Sequence, residues 1–247
     1  MHGVTNGYKA MPLKSDSTSP ALYAGAAVLV AFPNDRLHDD VIAIQGGLHR
    51  THQFGNFQAY YGINGSLGNY RVSAGYDNPD GGYFFSSNSN LNDSLLNALS
   101  GNYRFGSWGL TGGLNMVTQF PGGGEWRFLG VELDWQQEWG DYYRFRKNLP
   151  KSAANVIDDR RHYATISLSS DIVIKVDEIR FGYKAAMSFS TRKLNYYSNG
   201  GTVYSKVWPF TFSQTLHVGG KRSTWFGQLN IGYQVVGAQA GLCYRLN

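Results

Sequence analysis

The chain has 247 residues, with 31 glycines, 15% aromatic and only 16% charged residues, well below the roughly 25% charge usual for soluble domains. Its formal net charge of +5 is spread over scattered Lys and Arg with no basic run, which excludes a phosphate-tracking nucleic-acid interface. The single cysteine, Cys243, excludes an internal disulfide and a cysteine metal cluster and reads as a buried, inert thiol.

In chain order, "MHGVTNGYKAMPLKSDSTSP" reads as a polar tail over residues 1–20. It lacks the apolar stretch of a leader, so the chain reads either as cytoplasmic or as having lost one. The longest apolar run, "ALYAGAAVLVAF" from Ala21, is too short for a spanning helix, which needs about 20 residues. From there to the C-terminus, residues 21–247 read as one domain with side chains alternating at period two, the mark of strands with two unlike faces.

Strands are expected at Leu22 to Phe32 and at Val41 to Thr51. Phe57, Ala59, Tyr61, Ile63 and Leu67 then alternate with Gln58, Tyr60, Asn64 and Ser66, and Tyr70, Val72, Ala74 and Tyr76 with Asn69, Arg71 and Ser73. Leu99 to Phe105 reads as a further strand, followed by Trp108, Leu110, Leu114 and Met116 against Thr111, Asn115 and Gln119. The stretch "FLGVELDWQQEW" sets Leu129, Val131, Leu133 and Trp135 against Gly130, Glu132, Asp134 and Gln136. Ala164, Ile166 and Leu168 oppose Arg161, Thr165, Ser167 and Asp171, and Ile179, Phe181, Tyr183, Met187 and Phe189 oppose Arg180, Lys184 and Ser188. Trp208, Phe210 and Phe212, then Trp225, Leu229, Ile231 and Tyr233, then Ala240, Leu242, Tyr244 and Leu246 complete about 12 strands, within the range of a closed antiparallel barrel. Tight turns are expected at "LGN" (Leu67), "FGS" (Phe105), "PGGG" (Pro121) and "VGGKRS" (Val218). Residues 76–96, 139–159 and 191–202 read as long polar connections, with a short helix in "NDSLLNAL" capped by Asn92 or Asp93.

An alternating sheet must cover its apolar face, and helices to do so are missing. A soluble sandwich or lipocalin-like barrel would turn that face inward; it would also carry more charge outside. Here the polar parity is mostly Gly, Ser, Thr, Asn, Gln and Tyr with a few charges of both signs, as inside a membrane barrel. The expected fold is therefore an all-β, antiparallel, closed transmembrane barrel. Its lumen would be lined by Arg71, Arg104, Glu132, Asp134, Glu138, Arg161, Arg180 and Lys184. Leu129, Val131, Leu133, Trp135, Phe181, Tyr183, Leu229 and Ile231 would face lipid. The acids of this set are expected to pair with Arg161, Arg180 or Lys184 and to narrow the bore. Tyr61, Tyr70, Tyr76, Tyr103, Trp108, Trp135, Trp139, Trp208 and Trp225 on the apolar parity fit interfacial girdles.

At this point the chain resembles bacterial outer-membrane β-barrels over residues 21–247, including a last strand "AQAGLCYRLN" like the one by which such barrels are recognised for insertion. Its glycine- and tyrosine-rich style is similar to envelope barrels of Bacteroidetes-type bacteria. It departs from the family in ending at Asn247 where many members end in an aromatic. Its long connections, as read, also do not all fall at one end, which points to an error of strand assignment before Leu99. The resemblance implies an outer-membrane location, lipid contact and other envelope proteins as partners.

Chemistry is sparse. His38, Asp39, Asp40, His49 and His52 lie close in sequence, but His49 and His52 are three apart and point to opposite faces of a strand, which spoils a shared metal. His162 and His217 have Ser and Thr neighbours, as chance alone supplies here, and "GxSxG" is absent. The glycine-rich "GGLNMV", "PGGGEW" and "NGGT" have neither a following helix nor the lysine of a phosphate cradle. No catalytic residue, metal or cofactor is assigned. The expected role is a narrow channel or an anchoring subunit of an envelope assembly. The rivals are a lipid hydrolase or acyltransferase using a histidine, and a soluble ligand-binding barrel.

Overall fold

The computed structural model describes residues 7–12, 20–33, 37, 39–73, 93–198 and 200–247. Its strands are β1 (Ala21–Pro33), β2 (Asp39–Phe54), β3 (Phe57–Val72), β4 (Gly101–Gln119), β5 (Glu125–Gly140), β6 (His162–Val176), β7 (Ile179–Ser190), β8 (Leu194–Tyr197), β9 (Val203–Val207), β10 (Phe210–Gly219), β11 (Ser223–Gly232) and β12 (Val235–Arg245). Two helices, α1 (Asp93–Leu99) and α2 (Asp141–Asn148), lie in connections. Among the described residues, ten strands close into one antiparallel barrel in the order β1-β12-β11-β10-β7-β6-β5-β4-β3-β2, while β8 and β9 form a separate hairpin. Closure comes from β1 pairing with β12, Tyr23 opposite Arg245 through Pro33 opposite Val235.

The barrel has ten strands and not the 12 expected, because "LGN" and "FGS" are not turns. Each lies inside a strand, β3 and β4, that continues through it. Their glycines serve close approach instead. A Cβ on Gly68 would sit 2.5 Å from the Phe105 ring, and one on Gly106 would sit 2.1 Å from the Trp139 ring. A glycine that makes room for a ring across the sheet looks, in one dimension, like a glycine that turns the chain.

With those two joins removed, the connections sort by end, apart from the two-residue turn 233–234 between β11 and β12, which lies with the long ones. Residues 55–56, 120–124, 177–178 and 220–222 close the end where the chain enters β1 and leaves β12. The long connections, carrying α1, α2 and the β8–β9 hairpin, lie at the other end. The tight turns at 55–56 and 177–178 use left-handed residues, Gly55 (φ 56°) and Asp177 (φ 54°), as two-residue hairpins require. The helix expected in "NDSLLNAL" is α1, although Asn92 lies outside the described residues. α2 and the β8–β9 hairpin occur where only polar loop was expected.

Apolar residues ring the outside. Ile44, Ile63, Leu110, Leu133, Leu168, Ile174, Phe181, Leu216 and Ile231 are all exposed, from strands around the full circumference. Among the described residues, two apolar clusters lie inside. One joins Leu29, Val41, Tyr70, Phe105, Tyr142 and Phe145 at the loop end; the other joins Tyr8, Ala10, Tyr23, Ala27, Phe226 and Cys243.

Candidate functional site

Much of the lumen is occupied by side chains and by the chain's own residues 7–12. That segment was grouped with a polar tail in the sequence, yet Tyr8, Lys9, Ala10 and Met11 are all buried. Its contacts fix its course from the turn end inward. Near the turns, the Pro12 carbonyl accepts from Arg127 Nη2 at 2.9 Å and from Gln58 Nε2 at 3.3 Å. His49 Nε2 lies 2.6 Å from the Ala10 carbonyl, and the Tyr8 ring stacks on His217 with centroids 4.7 Å apart.

Charge inside the barrel is arranged in three tiers. At the turn end Arg127, 2% exposed, donates to Asp171 at 2.6 Å, to Glu125 at 3.1 Å and to Gln58 at 2.7 Å. Asp171 also holds His217 Nε2 at 3.0 Å. At mid-height Lys9 Nζ lies 2.9 Å from Glu132 and 3.7 Å from Asp134, and the Tyr60 hydroxyl donates to the second Glu132 oxygen. At the loop end Arg146 of α2 reaches Glu138 at 2.6 Å, its guanidinium 4.6 Å from the Tyr142 ring centroid. Buried charges persist only when paired and hydrogen-bonded, since desolvating a lone ion costs several kcal/mol. Each tier sets its acids against a cation, and the segment 7–12 supplies one of those cations.

Local sequence explains the placement. The β5 tripeptide Glu132, Leu133, Asp134 alternates, so both acids enter the lumen and the leucine leaves it. α2 presents Tyr142, Phe145 and Arg146 on one face, a spacing of three and four that puts all three over the barrel mouth.

Most of the sequence-predicted site residues lie where alternation put them. Glu132, Asp134 and Glu138 are buried in the lumen, and Arg180 and Lys184 share the inward parity of β7 with buried Ser188 and Ser190. Leu129, Val131, Leu133, Phe181, Tyr183, Leu229 and Ile231 are exposed on the outside, where Trp135 also packs edge-on to Trp108. Three lumen assignments are corrected. Arg71 points outward and pairs with Asp40 at 2.6 Å, because β3 runs through residue 68 and keeps its parity, so that Tyr70 and Val72 face in. Arg104 is on the outer parity of β4 for the same reason, with Phe105 inside. Arg161 precedes β6, is exposed, and lies at the rim with its guanidinium 5.9 Å from the Tyr143 ring centroid. The acids therefore pair with Lys9, Arg127 and Arg146 and not with Arg161. Tyr70 and Tyr103 likewise leave the girdle for the inner aromatic cluster, whereas Tyr76 and His38 lie outside the described residues.

Sequence reading missed Lys9, Tyr8, Arg127 and Arg146. Arg127 is hidden by the register shift between Arg127 and Gly130, which sends Phe128 and Leu129 out together and breaks the alternation. The apolar "YKAM" within a polar tail was the available signal for the first two. The histidines divide between the faces. His49 is inside, stacked on Tyr23, while His52 is outside beside Tyr61. His217 is clamped between Tyr8 and the backbone of Gly182, which makes it part of the wall.

No family model matches the chain. No curated protein matches it either. Among solved structures it is similar to the transport unit of the autotransporter AIDA-I from Escherichia coli, at 9% identity over 95% of this chain and 93% of that one, with TM-score 0.41. It is also similar to the beta domain of the Bordetella autotransporter Brka, at 10% identity over 91% and 98%, TM-score 0.43. A third likeness is to the KdgM porin in complex with disordered oligogalacturonate, at 8% identity over 90% and 99%, TM-score 0.29.

Proposed function

We propose that the chain is an integral β-barrel of the bacterial outer membrane without catalytic chemistry, an anchoring subunit of an envelope assembly whose bore is stoppered by its own N-terminal segment. One inversion carries this reading: Leu133 is 58% exposed while its neighbour Asp134 is 2% exposed, and the same holds around the whole wall. A water-facing barrel with Ile44 at 64% and Leu216 at 67% exposure would present a hydrophobic surface far larger than soluble monomers carry. Lipid makes that surface favourable, and closure leaves no unpaired strand edge within it. Exposed aromatics gather toward both ends, Phe54, Trp126 and Trp225 by the turns, Phe32, Trp139 and Phe210 by the loops, as interfacial girdles do. Short turns belong on the periplasmic side of such barrels, so α1, α2 and the β8–β9 hairpin face outward, where an envelope partner would engage them.

The stopper favours anchoring over transport, since all three tiers close the bore at once. A narrow channel is the second reading, favoured by one observation: residues 7–12 belong to no strand and are held through side chains and carbonyl contacts, so they can withdraw without breaking the wall. Reconstitution into a planar bilayer separates the two. The intact protein is expected to be electrically silent and to co-purify with envelope partners. Steady conductance by the intact chain would overturn the anchoring reading. Purification as a monodisperse species without detergent would overturn the membrane placement itself.

A further inference from the structure

At the loop end, beyond the Glu138–Arg146 pair, the barrel wall, α2 and the segment 154–158 border a chamber of about 120 Å³. Tyr142, Phe145, Leu149 and Leu194 give it an apolar side, and Arg146 and Thr165 border it on the polar side. Arg146 Nε and Thr165 Oγ1 are buried and meet no hydrogen-bond partner, although the residues are only 5% and 3% exposed. Buried polar atoms are almost always satisfied, so two such atoms on residues that line one chamber call for an oxygen from outside the chain.

We propose that this chamber binds a small uncharged organic molecule that joins one ring, or a short branched hydrocarbon, to a single hydroxyl or carbonyl oxygen. The charge follows from the walls. Glu138 already pairs with Arg146, and Asp39 and Asp158 also border the space, so a carboxylate ligand would be a surplus anion. An oxygen that accepts from Arg146 Nε and exchanges a hydrogen bond with Thr165 supplies what the polar side lacks. The size is of the same order as the cavity of about 150 Å³ that takes a benzene ring. Phenol has this shape, this oxygen and no charge at neutral pH. The assignment does not depend on whether the bore conducts.

Calorimetric titration of the full chain in detergent with phenol, against a micelle-only blank, tests it. One saturable site is expected, with benzoate at least about tenfold weaker. Removing one hydrogen bond by Thr165→Val is expected to weaken phenol about fivefold. Arg146→Lys, which keeps the charge beside Glu138 and deletes Nε, is expected to weaken it about tenfold. Ala154→Phe, from the chamber lining, should abolish binding; if that variant does not fold, Thr165→Val decides. Phenol heats no greater than the micelle blank, or affinity unchanged by Thr165→Val, would overturn the proposal.

Discussion

Lys9 Nζ lies 2.9 Å from Glu132 Oε1, across 123 positions of sequence, at the middle of the lumen. The pair ties the N-terminal segment to the wall at a buried carboxylate. Removing one partner of a buried pair costs about 3–5 kcal/mol, because the other is left charged and dry.

Lys9→Glu should therefore expel the segment while leaving the barrel intact. In a Cys243→Ser background, Met11→Cys reports this through its reaction with a water-soluble maleimide. The rate is expected to rise more than tenfold with Lys9→Glu, in keeping with the loss of a few kcal/mol of docking energy. An unchanged rate would mean that the apolar contacts of Tyr8 hold the segment by themselves.

The two faces of β5 make separate predictions. Leu133→Arg places a charge against hydrocarbon near mid-height and is expected to cost about 2–4 kcal/mol in denaturant unfolding from a bilayer. Asp134→Asn should change stability by less than about 1 kcal/mol, since Lys9 keeps its closer partner, Glu132. Equal, small effects from both would argue that the apolar face is not the lipid face.

How much of this was legible in the sequence depends on whether a residue's place follows from its neighbours. Glu132, Leu133 and Asp134 alternate within an unbroken strand, so their faces could be read directly. Arg71 and Arg104 could not, because the glycines at 68 and 106 resemble turns until the rings of Phe105 and Trp139 are seen lying over them. Joining those strands also gathers the long connections at one end, which the sequence reading lacked. α2 was legible in principle from Tyr142, Phe145 and Arg146 at helical spacing, but a helix of eight residues barely rises above loop noise. Of the plug, only the apolar "YKAM" was legible; nothing near Lys9 in sequence names Glu132 as its partner.

Arg127 is the cation of the turn-end tier, bonded to Asp171, Glu125, Gln58 and the Pro12 carbonyl. Arg127→Met is expected to cost about 3–5 kcal/mol, since it takes from the buried Glu125 and Asp171 the guanidinium that donates to both. Glu125→Gln should cost only about 1 kcal/mol, because Asp171 remains to hold the guanidinium. Unfolding followed by the mobility shift of heated and unheated samples gives both values. Arg127→Met no worse than Glu125→Gln would show that water enters this tier freely.

Gly182 faces His217 across the β7–β10 pair, and a Cβ added there would sit 2.1 Å from the imidazole. The ring cannot swing aside, because Asp171 holds its Nε2 and Tyr8 stacks on its face. Gly182→Ala is therefore expected to destabilise by about 1–3 kcal/mol, the range for overpacking a filled site. In the His217→Ala background the same change should cost less than about 0.5 kcal/mol, as the void left by the imidazole accepts the methyl group. A double-mutant cycle by denaturant unfolding measures this coupling. A cost for Gly182→Ala that stays the same with and without the imidazole would place the penalty in strand backbone propensity and would separate the glycine from the plug.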